Sequence, residues 1–177
     1  MKISLYKETG MADHIMGQVQ MKGYFPGVVG RITEMHATYY HEHWGFDVSF
    51  ETQVGKEISE FIRDFREDRD FFQVATIDGE FAGAISIDGH QERGEGVRLR
   101  WFIVDPKFQG RGIGSLLLSE AIDFCKRVNY RRVILWTFRG LDTARSLYEK
   151  AGFRFAVEHE VSQWGQRIKE QMFEVNL

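Results

Sequence analysis

The chain has 177 residues, the length of one core, since single domains commonly run to roughly 100 to 200 residues. A hydrophobic fraction of 43%, with 15 Phe, 6 Tyr and 4 Trp, excludes a disordered polar chain. A net charge of −3 argues against nucleic acid as a main partner, because such proteins carry a basic face that releases counterions.

Residues 1–14 are polar and weakly patterned and are expected to fray. They lack the apolar centre of an export leader, and no run in the chain approaches the roughly 18 apolar residues of a membrane span. A cytoplasmic protein with no membrane partner is the expectation. QVQMKGYF, from residue 18, alternates as a strand does and stops at Pro26-Gly27. From Val28 the positions Val29, Ile32, Met35, His36, Tyr39 and Tyr40 recur at helical steps up to Gly45. A second helix from about Ser49 carries Phe50, Val54, Ile58, Phe61, Ile62 and Phe65 on one face, and the charged run RDFREDRD reads as its solvated end.

The period then changes. FFQVATIDGEFAGAISID predicts two strands joined by Asp78-Gly79, a strong hairpin signal. After the turn-rich GHQERGEG, VRLRWFIV alternates with Val97, Leu99, Trp101 and Ile103 on one face and ends at Asp105-Pro106. Gly112 to Val128 predicts a helix whose apolar positions surround Cys125. As the only cysteine, Cys125 can form no intrachain disulfide and no CxxC motif, which suits a reducing compartment and a core role. RRVILWTF predicts a buried strand, Asp142 to Lys150 a short helix closed by Gly152, and FRFAVEHEVS and IKEQMFEVNL two last strands around Trp164-Gly165. This apolar tail makes a homodimer an expectation. Several strands in a row before the helical crossovers predict an α/β chain of the α+β type, a mixed and mostly antiparallel sheet covered by helices.

The chemistry concentrates between the third predicted helix and the strand before it. Gln109-Gly110-Arg111-Gly112-Ile113-Gly114 places three glycines within five residues, after an apolar strand and at a helix start, which is an anion site by construction. A Walker loop would need Gly-Lys before Ser or Thr, and here Ser115 follows Gly114 directly. A dinucleotide fingerprint would need G-x-G-x-x-G and an acid about 20 residues on, where Asn129 to Arg132 stand instead.

Val104-Asp105-Pro106, then Gln109 to Gly114, then Ala144, Leu147, Tyr148, Gly152 and Phe153 at the right interval resemble the signature of the GNAT family of acetyl-CoA-dependent N-acyltransferases. The resemblance is close over residues 97–155 and extends coarsely over the element order. It implies a GNAT-like sheet flanked by helices on both faces, in a single domain over residues 1–177. It also implies a coenzyme A pyrophosphate on the backbone of Gln109, Gly110, Arg111, Gly112, Ile113, Gly114 and Ser115. The pantetheine and thioester would lie along Phe102, Ile103 and Val104, whose strand splays from its neighbour in the family, with a backbone N–H near Val104 facing the developing oxyanion. Tyr148 takes the place of the family's proton donor to the leaving thiolate. Many members carry Asn where this chain has Leu141, so that one coenzyme contact departs from the pattern.

The stretch HATYYHEHWGFDVSFE, residues 36–51, packs three His, two Tyr, a Trp, two Phe and three acids together. Its His spacing does not place three metal ligands on one helix face, so no metal is expected. Tyr40, His43, Trp44 and Glu51 are the candidate acceptor contacts, with the aromatics able to hold an amine by cation–π attraction. Glu51, His43 and Glu95 are all chemically capable of acting as the general base, and a chain of water molecules is an equal alternative. The expected activity is transfer of acetyl from acetyl-CoA to a small-molecule or protein primary amine through a ternary complex. The alternative is a non-catalytic acyl-CoA-binding sensor or interaction module of the same fold.

Overall fold

In the computed structural model, which describes residues 19–90 and 96–177, the chain alternates seven strands and four helices. They run β1 (Val19–Lys22), α1 (Val28–Trp44), α2 (Val48–Arg63), β2 (Phe71–Ile77), β3 (Glu80–Asp88), β4 (Val97–Val104), α3 (Ile113–Arg127), β5 (Arg132–Phe138), α4 (Asp142–Lys150), β6 (Arg154–Val161) and β7 (Ile168–Asn176). A short 3-10 turn, Pro106–Phe108, follows β4. The frayed start expected over residues 1–14 and the candidate base Glu95 lie outside the described residues.

The strands form one sheet in the order β1-β2-β3-β4-β5-β7-β6, antiparallel except between β4 and β5. This is the mixed sheet that the sequence predicts, with helices on both faces. Asp78 and Gly79 both lie in the left-handed region, at φ 51° and 83°, the geometry that turns β2 back on β3 within two residues. On one face, α3 and α4 bury Ile113, Leu117, Leu118, Ala121 and Tyr148 against Ile85, Leu99, Leu135 and Phe173. Cys125 is fully buried there, and burial pushes its thiol up to about 12, so it is an inert core residue. On the other face, α1 and α2 bury Ile32, Phe50, Val54, Ile58 and Phe61 against Val74, Ala84, Trp101 and Phe138.

Two expectations are corrected. The four apolar residues of β4 do not share a face: Val97 and Leu99 join the α3 side, whereas Trp101 joins the α1–α2 side with Ile103 packed against it. Ser86 pairs with Arg100 but Ala84 pairs with Ile103, so β4 holds one residue more than β3 across this step, and Trp101 takes φ 45°. This bulge reverses the alternation. The charged run after α2 is also only partly solvated. Asp64 and Asp68 pair with neighbouring arginines at the surface, but Asp70 is 1% exposed and accepts from Arg66 N–H, the Arg69 guanidinium and Gly89 N–H. It ties the exit of α2 to the end of β3.

The connection between α1 and α2 is pinned to the β6–β7 turn. Asp47 N–H donates to the Trp164 carbonyl at 3.1 Å, Ser49 Oγ to the Gln163 carbonyl at 2.9 Å, and Trp164 Nε1 to Gln53 Oε1 at 2.9 Å. Phe46, 2% exposed, fills the space between, with Tyr40, Phe50, Phe138 and Trp164 rings 4.9 to 5.7 Å away. Truncation to Phe46→Ala should therefore cost about 3–5 kcal/mol of unfolding free energy, read as a lowered urea midpoint. Gly83→Ala should cost about 1–3 kcal/mol, because its Cβ would stand 2.7 Å from the Ile103 carbonyl oxygen in the rigid bulge region.

Candidate active site

The bulge in β4 makes the site. β4 pairs with β5 only through Val97, Arg98 and Leu99, after which the two parallel strands separate. From Arg100 to Val104 the strand has no partner strand on its β5 side, although the Val104 carbonyl accepts from Gln109 Nε2 at 3.2 Å, and a cavity of about 220 Å³ opens between it and Leu135 to Phe138. An unpaired strand edge inside a fold presents a row of N–H and C=O groups to whatever enters.

The glycine loop stands at the mouth of this opening. Gly110 and Gly112 take φ of 75° and 80°, a conformation that residues with a Cβ adopt only with strain. Gly112 caps α3 without any side-chain hydrogen bond, and the first helical bond runs from Leu116 N–H to its carbonyl. The amides of Ile113, Gly114 and Ser115 thus precede the helical ladder at the positive end of a 15-residue helix. Gly114 is different: it lies inside the first turn, where a Cβ would meet Leu147 at 3.2 Å.

A cleft of about 790 Å³ joins loop and splay. It is lined by nine of the ten residues expected to hold the coenzyme: Phe102, Ile103, Val104, Gln109, Gly110, Gly112, Ile113, Gly114 and Ser115. Arg111 is not among its walls, and its guanidinium lies over the Phe108 ring at 5.4 Å. The opposite wall was not read from the sequence. It consists of Thr143, Ser146 and Lys150 with Leu147 on α4, a face recognisable only by its three- and four-residue spacing. Leu141 sits at the N-cap of α4 without a capping hydrogen bond and lines both the cleft and the inner cavity with its apolar side chain.

Tyr148 reaches the junction of cleft and cavity. It is 6% exposed, packed on Phe102, Phe153 and Phe173, and burial holds its phenol above the usual range. Tyr40 lines the same cavity, and its phenol is raised by burial first and by the nearby Tyr148 second. His36, one turn earlier on α1, also lines it. Tyr39 borders the cleft, the inner cavity and a third, outer cleft of about 810 Å³, where His43 stacks on it at 4.3 Å.

The candidate acceptor residues therefore separate. Tyr40 is inside, His43 lies in the outer cleft with Nδ1 2.8 Å from the Tyr39 carbonyl, and Trp44 packs on Tyr39 and Tyr40 beside Gly140. Glu51 is exposed in the first turn of α2 and lines none of these three cavities. Arg100, the one Lys or Arg that lines the inner cavity among the described residues, is engaged by Glu57 and by Asp88 at 3.0 Å and lies over Trp101. Among the described residues no group of three His, Cys, Asp or Glu side chains is placed to hold a metal ion, and no helix is long and apolar enough to cross a membrane.

Comparison with known proteins agrees with this geometry. An uncharacterized N-acetyltransferase of Methanocaldococcus jannaschii is 33% identical over 92 residues, which are 50% of this chain and 41% of that protein. The chain thus spans about two-fifths of that curated relative. Among solved structures, an acetyltransferase from Streptococcus agalactiae superposes with a TM-score of 0.73 at 17% identity, covering 90% of this chain and 99% of the other. A putative acetyltransferase from Salmonella typhimurium, solved with its cofactor acetyl-CoA, superposes with a TM-score of 0.67 at 16% identity, covering 90% and 94%. The model of the acetyltransferase (GNAT) family matches residues 31–153, from α1 to the residue that follows the α4 turn, and with the splayed strands, the glycine loop and Tyr148 in place the chain belongs to that family.

Proposed function

We propose that the protein transfers an acetyl group from acetyl-CoA to a primary amine by direct attack within a ternary complex. The observation that carries this reading is the opening between β4 and β5, with an amide-lined loop at its mouth and a buried phenol at its throat. The Salmonella structure supports acetyl-CoA as the occupant, since the same fold holds that cofactor there.

Each part of the coenzyme has a chemically matched wall. The pyrophosphate takes the free amides of Ile113 to Ser115 and of the loop before them, with Lys150 on the opposite wall as a counter-charge. The pantetheine amides pair with the open edge of Phe102 to Val104, as a peptide pairs with a sheet edge. The thioester then lies at the end of that edge, where a backbone N–H can stabilise the oxyanion that forms on attack. The leaving sulfur faces Tyr148. Burial keeps its phenol protonated, and the same dry surroundings make an unprotonated thiolate costly, so a proton passes from oxygen to sulfur as the C–S bond breaks.

Acetyl-CoA at 100 times its dissociation constant should stabilise the protein by about 2.7 kcal/mol and raise its melting temperature, while NAD and ATP should leave it unchanged. A shift with NAD and none with acetyl-CoA would overturn the assignment of the cleft. In thiol-release assays with a panel of primary amines, Tyr148→Phe should lower kcat by about 10²–10⁴-fold while acetyl-CoA binding persists. Equal rates in the variant would remove Tyr148 from the reaction.

A further inference from the structure

His36 was placed by its spacing on the apolar face of α1, and it is 6% exposed. Its Nδ1 lies 2.8 Å from the Ile32 carbonyl oxygen, one turn back. A carbonyl can only accept, so Nδ1 carries the proton and Nε2 carries a lone pair. Among the described residues Nε2 has no hydrogen-bond partner, and the ring borders the inner cavity together with Tyr40, on which it stacks at 6.2 Å, and Tyr148. Burial lowers the imidazole to about 4, so it is neutral in the working range. The other titratable or charged groups bordering the cavity are Tyr39, Tyr40, Tyr148 and the paired Arg100. Arg100 has no acceptor atom, and a phenol O–H is a far weaker proton acceptor than an imidazole nitrogen. The exposed candidates drawn from the sequence, His43 and Glu51, do not border this cavity.

An amine that attacks a thioester becomes strongly acidic as its lone pair is committed to the new bond, and it must lose a proton. We propose that His36 Nε2 receives that proton and is the base of the acyl transfer, a role that rests on the acetyltransferase reading above. The amine enters uncharged, having left its ammonium proton in water. The C–N bond forms, the C–S bond breaks, and the sulfur takes the Tyr148 proton. The surplus proton on nitrogen passes to Nε2. Burial disfavours the imidazolium, which returns the proton to the Tyr148 phenolate, so the net movement is one proton from nitrogen to sulfur.

Two variants separate this role from core packing. Asn can keep the donor that meets the Ile32 carbonyl, and Gln can place an amide oxygen near the Nε2 position, but neither amide is basic enough to take a proton. With acetyl-CoA and a primary amine, His36→Asn and His36→Gln should each lose about 10²–10³-fold in kcat with acetyl-CoA affinity unchanged. The deficit in His36→Asn should also shrink with weakly basic amines such as trifluoroethylamine, whose nitrogen sheds its proton readily. Equal kcat in wild type and His36→Asn, recovery in His36→Gln, which would mark hydrogen-bond acceptance instead of proton transfer, or a deficit indifferent to amine basicity would overturn the assignment. Acetyl-CoA binding reports whether each variant is folded. If the wild-type protein binds acetyl-CoA but releases no thiol with any amine, the acetyltransferase reading itself fails, and the role of His36 with it.

Discussion

One additional residue in β4 determines where everything else can stand. A regular β4 would pair with β5 along its whole length, closing the sheet and satisfying every backbone group in it. The insertion at Trp101 rotates the strand after Arg100, ends the pairing with β5 at Leu99 and leaves five residues with no strand on that side. Free backbone groups in a core are costly unless a partner is supplied. In the proposed reaction the partner is not another strand but the acetyl-CoA that enters the opening, so the same defect that weakens the sheet would supply directional recognition. The glycine loop follows at once because the Asp105 turn carries the chain from the open end of β4 directly to the start of α3.

The second constraint is the aromatic cluster around Phe46. It joins the α1–α2 connection to the β6–β7 turn and so fixes the C-terminal half of α1 over the opening. That half carries His36, Tyr39 and Tyr40, three residues in nearly consecutive turns that line the inner cavity. Tyr148 comes from the opposite face on α4. The inner cavity is therefore shared by two helices that belong to different cores, and the gap in the sheet is the passage between them. Bringing His36 and Tyr148 to one space requires the sheet to be open, which ties the base and the acid of the proposed reaction to the bulge.

Much of this was legible in the sequence, for reasons that can be named. Loop residues with special backbone angles, such as Asp78-Gly79 and the 109–114 stretch, announce themselves by composition, and nine of the ten expected coenzyme residues line one cleft. The helix period around Tyr148 was equally clear. The bulge was not, because the last four residues of β4, Trp101 to Val104, are all apolar, and such a run reads the same whether the strand keeps its register or reverses it. His36 was hidden by the same ambiguity: one histidine on an apolar helix face looks like packing until the cavity beside it is seen. Asp70 was hidden in a run of charges whose other members are at the surface. Conversely, Glu51 has suitable chemistry but stands on the exposed first turn of α2, a position that composition alone cannot distinguish from a pocket wall.

The central claim is that the open edge of β4 is the coenzyme's binding surface. Residue-resolved amide hydrogen exchange with and without acetyl-CoA tests it most directly. The account predicts that protection appears in Phe102 to Val104 and in Gly110 to Ser115, with the paired amides of Val97 to Leu99 unchanged. Protection confined to other regions, such as the β6 edge or the outer cleft of α1, with the β4 edge still exchanging freely, would contradict it.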